Sequence, residues 1–146
     1  MTDAKPPRTD LREFNKGLIA DYRANGGTDG DGALQPIVLL STIGRKSGRE
    51  YTTPVNVRED GDDLIVAGTK GGYPTHPQWY SNLQSNPELT VEYHGDSWRA
   101  RAITVDNGPD RDRLFAMMVE IIPGAYGYQD KCRDQRQIPV VRLQRI

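Results

Sequence analysis

The sequence predicts an α+β fold that is mainly β, a small barrel of short antiparallel strands carrying an N-terminal helix and further helices inserted between strands. Three observations predict it. Short apolar, β-branched runs recur from residue 36 to the end of the chain. Turn residues such as Asp60-Gly61 and Gly95-Asp96 separate them. Three other segments carry their apolar residues at helical spacing. A length of 146 residues gives one domain, expected to bury roughly 70% of its unfolded surface without help from a metal or disulfide.

Residues 1–9, rich in Pro and charge, read as a loose tail. Over residues 10–25, Leu11, Phe14, Leu18, Ile19 and Tyr22 recur at helical spacing, and Asp10 with Glu13 has the offset of a capping pair. That helix is expected to pack on the barrel rather than rest on a membrane. Its polar face mixes Glu13 and Asp21 with Arg12, Lys16 and Arg23, unlike the basic face that anionic lipid attracts. Gly26 and Gly27 stop it, and residues 26–35 form a flexible linker.

The barrel then occupies residues 36–146. Strands are expected over 37–43, 51–58 and 64–68, the last two joined through Asp60-Gly61. A second hairpin pairs 89–93 with 98–105 around Gly95-Asp96, and a final strand runs over 138–143. Between them, 75–85 reads as a helix with Thr75 and Gln78 as a capping box. Pro109 opens a helix over 110–122 whose stripe is Leu114, Met117, Met118 and Ile121.

Composition excludes several classes. The longest apolar stretches are a few residues long, so neither a spanning helix nor a secretory signal can be drawn, and a cytoplasmic location is expected. One cysteine, Cys132, and two histidines, His76 and His94, leave too few ligands for zinc or disulfide frameworks, and no metal is expected. With 19 basic and 20 acidic residues, the chain has no overall attraction for nucleic acid. Cys132, between Lys131 and Arg133, reads as a surface thiol, and His76 as part of a turn.

The densest chemical signal is Gly44-Arg45-Lys46-Ser47-Gly48-Arg49, between two expected strands. Three cations within five positions, bracketed by glycines, can turn guanidinium, ammonium, hydroxyl and backbone donors onto one anion, with phosphate the natural guest. It is not a P-loop, because the spacing differs and a strand follows. A solvated basic turn is the alternative on these residues alone. A second cluster, Ala67-Gly68-Thr69-Lys70-Gly71-Gly72, lets a planar ligand lie against backbone, with Lys70 to neutralise it; an ordinary loop is the alternative there. Trp79 reads as core before ligand platform. Tyr126 and Tyr128 stand in a Pro-Gly-flanked stretch, as pocket cover or as exposed rings.

Taken together, Leu39 to Arg49, Val66 to Gly72, and Pro77-Gln78-Trp79-Tyr80-Ser81-Asn82-Leu83 followed by Asn86-Pro87 resemble the deazaflavin (F420)-dependent nitroreductase and quinone reductase family of actinobacteria, among the split β-barrel flavin oxidoreductases. The resemblance implies an FMN-binding-like split β-barrel with an N-terminal helix. It implies a reductase that moves hydride from reduced coenzyme F420 to an activated acceptor such as a quinone, enone or nitro compound. By the same resemblance Arg45, Lys46, Ser47 and Arg49 would hold the coenzyme phosphate, Pro54 and Val55 would line its ring, Ala67, Thr69, Lys70 and Gly71 would meet the deazaflavin edge, and Trp79 would flank it. Tyr126 and Tyr128, with Thr69, would serve the acceptor. Tyr51 stands where many relatives carry an arginine. The competing readings are an FMN-dependent oxidoreductase of the same barrel and a non-catalytic carrier of a cofactor, haem or fatty acid. A monomer and a homodimer both fit, and contact with the inner face of the membrane is the less favoured location.

Overall fold

Between Asn56 and Arg58 the chain passes from one edge of its sheet to the other through a single residue, Val57. Among the described residues seven antiparallel strands form one sheet: β1 (Ile37–Ile43), β2 (Glu50–Asn56), β3 (Arg58–Asp60), β4 (Asp63–Ala67), β5 (Glu88–Tyr93), β6 (Asp96–Thr104) and β7 (Val140–Arg145). Their order is β2-β1-β5-β6-β7-β4-β3. Since β2 and β3 are consecutive in sequence yet lie at opposite edges, the sheet must curl until its edges meet, which is the barrel expected. Val57 at that seam is buried, and its N–H donates to the carbonyl of Pro36 at 2.8 Å. Pro54, which cannot donate to a ladder, stands on β2 at an edge of the hydrogen-bonded order. The computed structural model describes residues 8–28 and 36–146, with side chains from residue 14 onward. The expected tail up to residue 7 and the linker over 29–35 lie outside the described residues, as does the side chain of Leu11.

Alternation along the strands gives two cores. Val38 and Leu40 of β1, Leu64 and Val66 of β4, Leu89 and Val91 of β5, and Val141 and Leu143 of β7 fill the barrel, closed by Trp79, Tyr80 and Leu83 of α2 (Gln78–Ser85). The opposite face of β4 and β7, through Ile65, Ala67 and Val140, packs on Leu114, Phe115 and Met118 of α3 (Pro109–Val119) and on Ala125 and Cys132 of α4 (Ala125–Cys132). Burial on both faces explains why β4 reads as a continuous apolar run. Each such Leu, Ile or Val contributes about 1.5–3 kcal/mol.

Several expectations are corrected. The β5–β6 turn is His94-Gly95, one residue earlier than expected, with both residues at positive φ (52° and 84°), the backbone of a two-residue turn matched to strand twist. The turn that joins β3 to β4 is Gly61-Asp62, one residue later than expected, because Asp60 closes β3 opposite Asp63, while the strand expected over 51–58 splits at Val57 and its first part pairs with β1. The capping box of Thr75 and Gln78 does not form: α2 starts at Gln78 with no side-chain cap. The stretch carrying Tyr126 and Tyr128 is the helix α4, and Cys132 is fully buried in it. The N-terminal helix, α1 (Arg8–Ala24), exists as expected, but of its described apolar stripe only Tyr22 is buried, while Phe14 is 66% exposed. No helix among the described residues is long and apolar enough to cross a membrane.

Candidate functional site

The Gly44–Arg49 segment is the connection between β1 and β2, and its backbone closes on itself. The Gly44 N–H donates to Arg49 O at 2.7 Å and the Gly48 N–H to Gly44 O at 2.9 Å, with Gly48 at φ 71°. The Ser47 hydroxyl accepts from the Arg49 N–H at 3.2 Å and shares a hydrogen bond with the Tyr51 hydroxyl at 3.0 Å. The side chains of Arg45, Lys46 and Arg49 are thereby displayed from a folded turn.

Helix α2 fixes the other end of this turn. Asn82, buried, accepts from the Arg45 N–H at 3.2 Å through Oδ1 and donates from Nδ2 to Thr42 Oγ1 at 3.2 Å. One turn earlier, Gln78 Oε1 accepts from Arg45 Nη1 at 2.7 Å. Positions 78 and 82 are i and i+4 on one helix face, which is how both reach the same loop.

The turn, α2 and α1 enclose a cavity of about 690 Å³, walled by Arg45, Lys46, Ser47, Arg49, Trp79 and Ile19 among others. Positive charge gathers on its wall. Arg23, Arg99, Arg101, Arg113 and Arg142 are each paired with a carboxylate, whereas among the described residues no carboxylate pairs with Arg45, Lys46 or Arg49. A smaller cavity of about 260 Å³ at the end of α1 is bordered by Arg23, but there Glu92 neutralises it. An uncompensated cluster of three cations on a concave wall is a place for a multiply charged anion.

The glycine cluster after β4 forms a 3-10 turn, Lys70–Gly72, in which all three residues are at positive φ (43°, 60° and 78°). Lys70 Nζ donates to Thr75 Oγ1 at 3.0 Å. Helix α4 packs directly on this turn: a Cβ at Gly72 would lie 2.9 Å from Tyr128 O. The ring of Tyr126 packs on Phe115, their centroids 5.2 Å apart, and Tyr126 is 58% exposed. His76, just before α2, lies against the Tyr80 ring, and burial, with the charges of Arg136 and Lys70, holds its pKa below the usual histidine value.

The structure therefore brings Arg45, Lys46, Ser47, Arg49 and Trp79 to one cavity, and places Thr69, Lys70 and Gly71 in a second group at the 3-10 turn, on which α4 rests through Tyr128, while Tyr126, on the same helix, packs toward α3. Ala67 is nearly buried at the end of β4, and Pro54 and Val55 lie half-buried on β2. The two groups flank the start of α2, one through Arg45 and Gln78, the other by chain continuity through His76 and Pro77. Sequence reading missed Gln78, Asn82 and Arg136 as site-building residues. The signal available for Asn82 was a polar residue on the helix face that carries Trp79 and Leu83, where burial demands partners.

A family model described as F420H(2)-dependent quinone reductase matches residues 15–145. An F420H(2)-dependent quinone reductase of Mycobacterium tuberculosis strain H37Rv is 36% identical over 130 residues, 86% of either chain. The solved structure of an F420-H2-dependent reductase, FDR-A, superposes with a TM-score of 0.67 at 32% identity, over 75% of this chain and 95% of its own. A solved domain-swapped dimer gives 0.68 at 32% identity, over 95% and 100%. The haem storage protein HutZ from Vibrio cholerae, at TM-score 0.56 and 14% identity, shares the fold alone, and with the reductases it marks the curled sheet as a split β-barrel. Among the cofactors considered from the sequence, F420 rather than FMN is the one that the family and its reductase relatives carry in their names. With a match spanning residues 15–145, the chain belongs to the F420H(2)-dependent quinone reductase family, oxidoreductases whose coenzyme is F420.

Proposed function

We propose that the protein passes hydride from reduced coenzyme F420 to a small electrophilic acceptor, a quinone first, with enones and nitro compounds as acceptors of the same chemistry. The observation that carries this reading is the set of three cations without carboxylate partners among the described residues, Arg45, Lys46 and Arg49, on the wall of the 690 Å³ cavity. The coenzyme is an anion through its phosphate and glutamate tail, and this donor set suits it. The bound coenzyme supplies the hydride, which is why no catalytic triad is required of the chain.

The residues then have binding tasks. Arg45, Lys46, Arg49 and Ser47 hold the phosphate. Trp79 flanks the coenzyme, Pro54 and Val55 line the ring, and Ala67, Thr69, Lys70 and Gly71 meet its edge. Tyr126 and Tyr128, with Thr69, face the acceptor, where a phenol can donate to the oxygen that gains charge. The test is a fluorescence titration with oxidised F420 beside FMN, followed by oxidation of the reduced coenzyme with menadione, a cyclohexenone and a nitroaromatic. Binding of F420 in preference to FMN and menadione-dependent turnover are expected. Failure of F420 to bind overturns the reading, and binding without turnover on any acceptor returns the protein to a carrier.

A further inference from the structure

We propose that Arg136 is a positioning residue of the coenzyme site, its buried guanidinium holding the backbone of residues 68–73 in the shape that meets the ring. The inference rests on the reading of Thr69 to Gly71 as ring contacts given above.

Arg136 lies between α4 and β7 and is 8% exposed. Its Nη1 donates to Gly68 O, its Nη2 to Thr69 O and its Nε to Tyr73 O, all at 2.8 Å, and Nη1 stands 3.2 Å from His76 Nδ1. Among the described residues no carboxylate shares this cation. All of these acceptors belong to one loop, and they bracket the left-handed turn: Gly68 and Thr69 precede it, Tyr73 follows it.

The turn requires such a bracket. Lys70 carries a side chain at φ 43°, a conformation that favours glycine, and Gly71 and Gly72 continue it at 60° and 78°. Within the turn the Gly72 N–H donates to Thr69 O at 2.9 Å and the Tyr73 N–H to Lys70 O at 3.1 Å. Strain of this kind persists where surrounding groups over-determine the backbone, and a planar fork with fixed donor directions does so better than a flexible ammonium. Burying an uncompensated guanidinium is costly, so a scaffold needing only a loop tie has cheaper neutral donors at hand. The arrangement also sets His76. With an Arg136 N–H facing Nδ1, that nitrogen accepts and the ring proton resides on Nε2. Burial first, and then the charges of Arg136 and Lys70, favour this neutral form.

Arg136→Lys keeps the charge and loses the fork, and Arg136→Gln loses both. The variants are to be compared with wild type by circular dichroism, by fluorescence titration with oxidised F420, and by NMR titration of His76. Folded variants are expected to bind the coenzyme at least about tenfold more weakly, the equivalent of one lost charge-assisted hydrogen bond. The His76 midpoint is expected to rise in Arg136→Gln and to stay low in Arg136→Lys. A purely structural tie would lower melting temperature and leave the affinity of the folded protein unchanged. Affinity within about twofold of wild type in both folded variants overturns the proposal. Lys46→Ala separates it from the parent reading: loss of binding there without loss in the Arg136 variants defeats this proposal alone, whereas a wild type that does not bind F420 defeats both. Should neither variant fold, amide exchange on the wild type decides. Slower exchange across 69–73 on saturation with F420 is expected, and unchanged exchange there beside slowed exchange at 44–49 overturns the proposal.

Discussion

Arg45 donates from Nη1 to Gln78 Oε1 at 2.7 Å, and this bond ties the cationic turn between β1 and β2 to the first residue of α2. Gln78 is neutral, so it orients the guanidinium without cancelling its charge, which a carboxylate at that position would do. The turn therefore keeps its positive field while one of its three cations is fixed in place.

Lys46 shares that field without a carboxylate partner among the described residues. Lys46→Ala is expected to weaken F420 binding by about 1.5–3 kcal/mol, the range for hydrogen bonds to charged groups. Gln78→Ala, which only releases Arg45, is expected to have a smaller effect of about 0.5–1.5 kcal/mol. Added salt should weaken binding by the wild type more than by the Lys46 variant. Fluorescence titrations at two ionic strengths check all three outcomes; equal affinities throughout would remove the turn from the site.

A second prediction concerns acid stability. Asp60, between Arg113 Nη1 at 2.9 Å and Arg142 Nη1 at 3.0 Å, has its pKa lowered from 3.8 to about 2, chiefly by the hydrogen bond from Arg113 and then by that from Arg142. A folded-state value below the unfolded one means that the unfolded chain takes up the proton first. The contribution is thus complete above the ordinary value and is lost as pH falls from about 4 toward 2. Urea unfolding of the wild type should show stability declining over that window, and Asp60→Asn should be less stable at neutral pH with a shallower decline.

Gly72 tests the junction between the 3-10 turn and α4. It stands at φ 78°, and a Cβ added there would come within 2.9 Å of Tyr128 O and 3.0 Å of Tyr128 Cα, backbone atoms with no flexible side chain to yield. Gly72→Ala is expected to destabilise by about 1–3 kcal/mol, whereas Gly61→Ala, at φ 63° but in open space, should cost less. Thermal unfolding of the two variants side by side gives the comparison; equal losses would assign the cost to backbone strain alone.

How much was legible in the sequence follows from which forces set each element. The bounds of β1 emerged from its apolar β-branched run, because both its faces are buried and every residue from 38 to 42 reports that burial. Helix α4 was not legible: its only buried residues, Ala125 and Cys132, lie seven apart, too thin a stripe to show a period, and Gly127 interrupts it. The same spacing turns Cys132 inward despite its basic neighbours. Thr75 and Gln78 have the offset of a capping box, yet they bond to Lys70 and Arg45 instead, a tertiary choice that local spacing does not encode. The three cations of the turn were visible as a motif. Arg136 was not, because its role depends on carbonyls more than sixty residues away in the chain.

The last prediction concerns Tyr126 and Tyr128 as acceptor-side groups. Both belong to α4, which rests on the turn carrying Lys70, so their positions depend on the same contact that Gly72 protects. They are not equivalent. Tyr126 is 58% exposed with its ring against Phe115, while Tyr128 is half-buried and lies over Gly124, where an added Cβ would come within 3.2 Å of its hydroxyl. Replacement by Phe keeps each ring and removes one donor. A hydroxyl that donates to the acceptor as hydride arrives should be missed in turnover and not in F420 affinity, with about tenfold lower kcat/KM for each 1.4 kcal/mol of transition-state stabilisation lost. Loss in Tyr126→Phe is the larger effect expected, since its exposed hydroxyl is open to an incoming molecule. Steady-state kinetics with menadione on the two single variants and the double variant measure it, and wild-type turnover in all three would leave both rings as walls of the acceptor site and assign the proton to solvent.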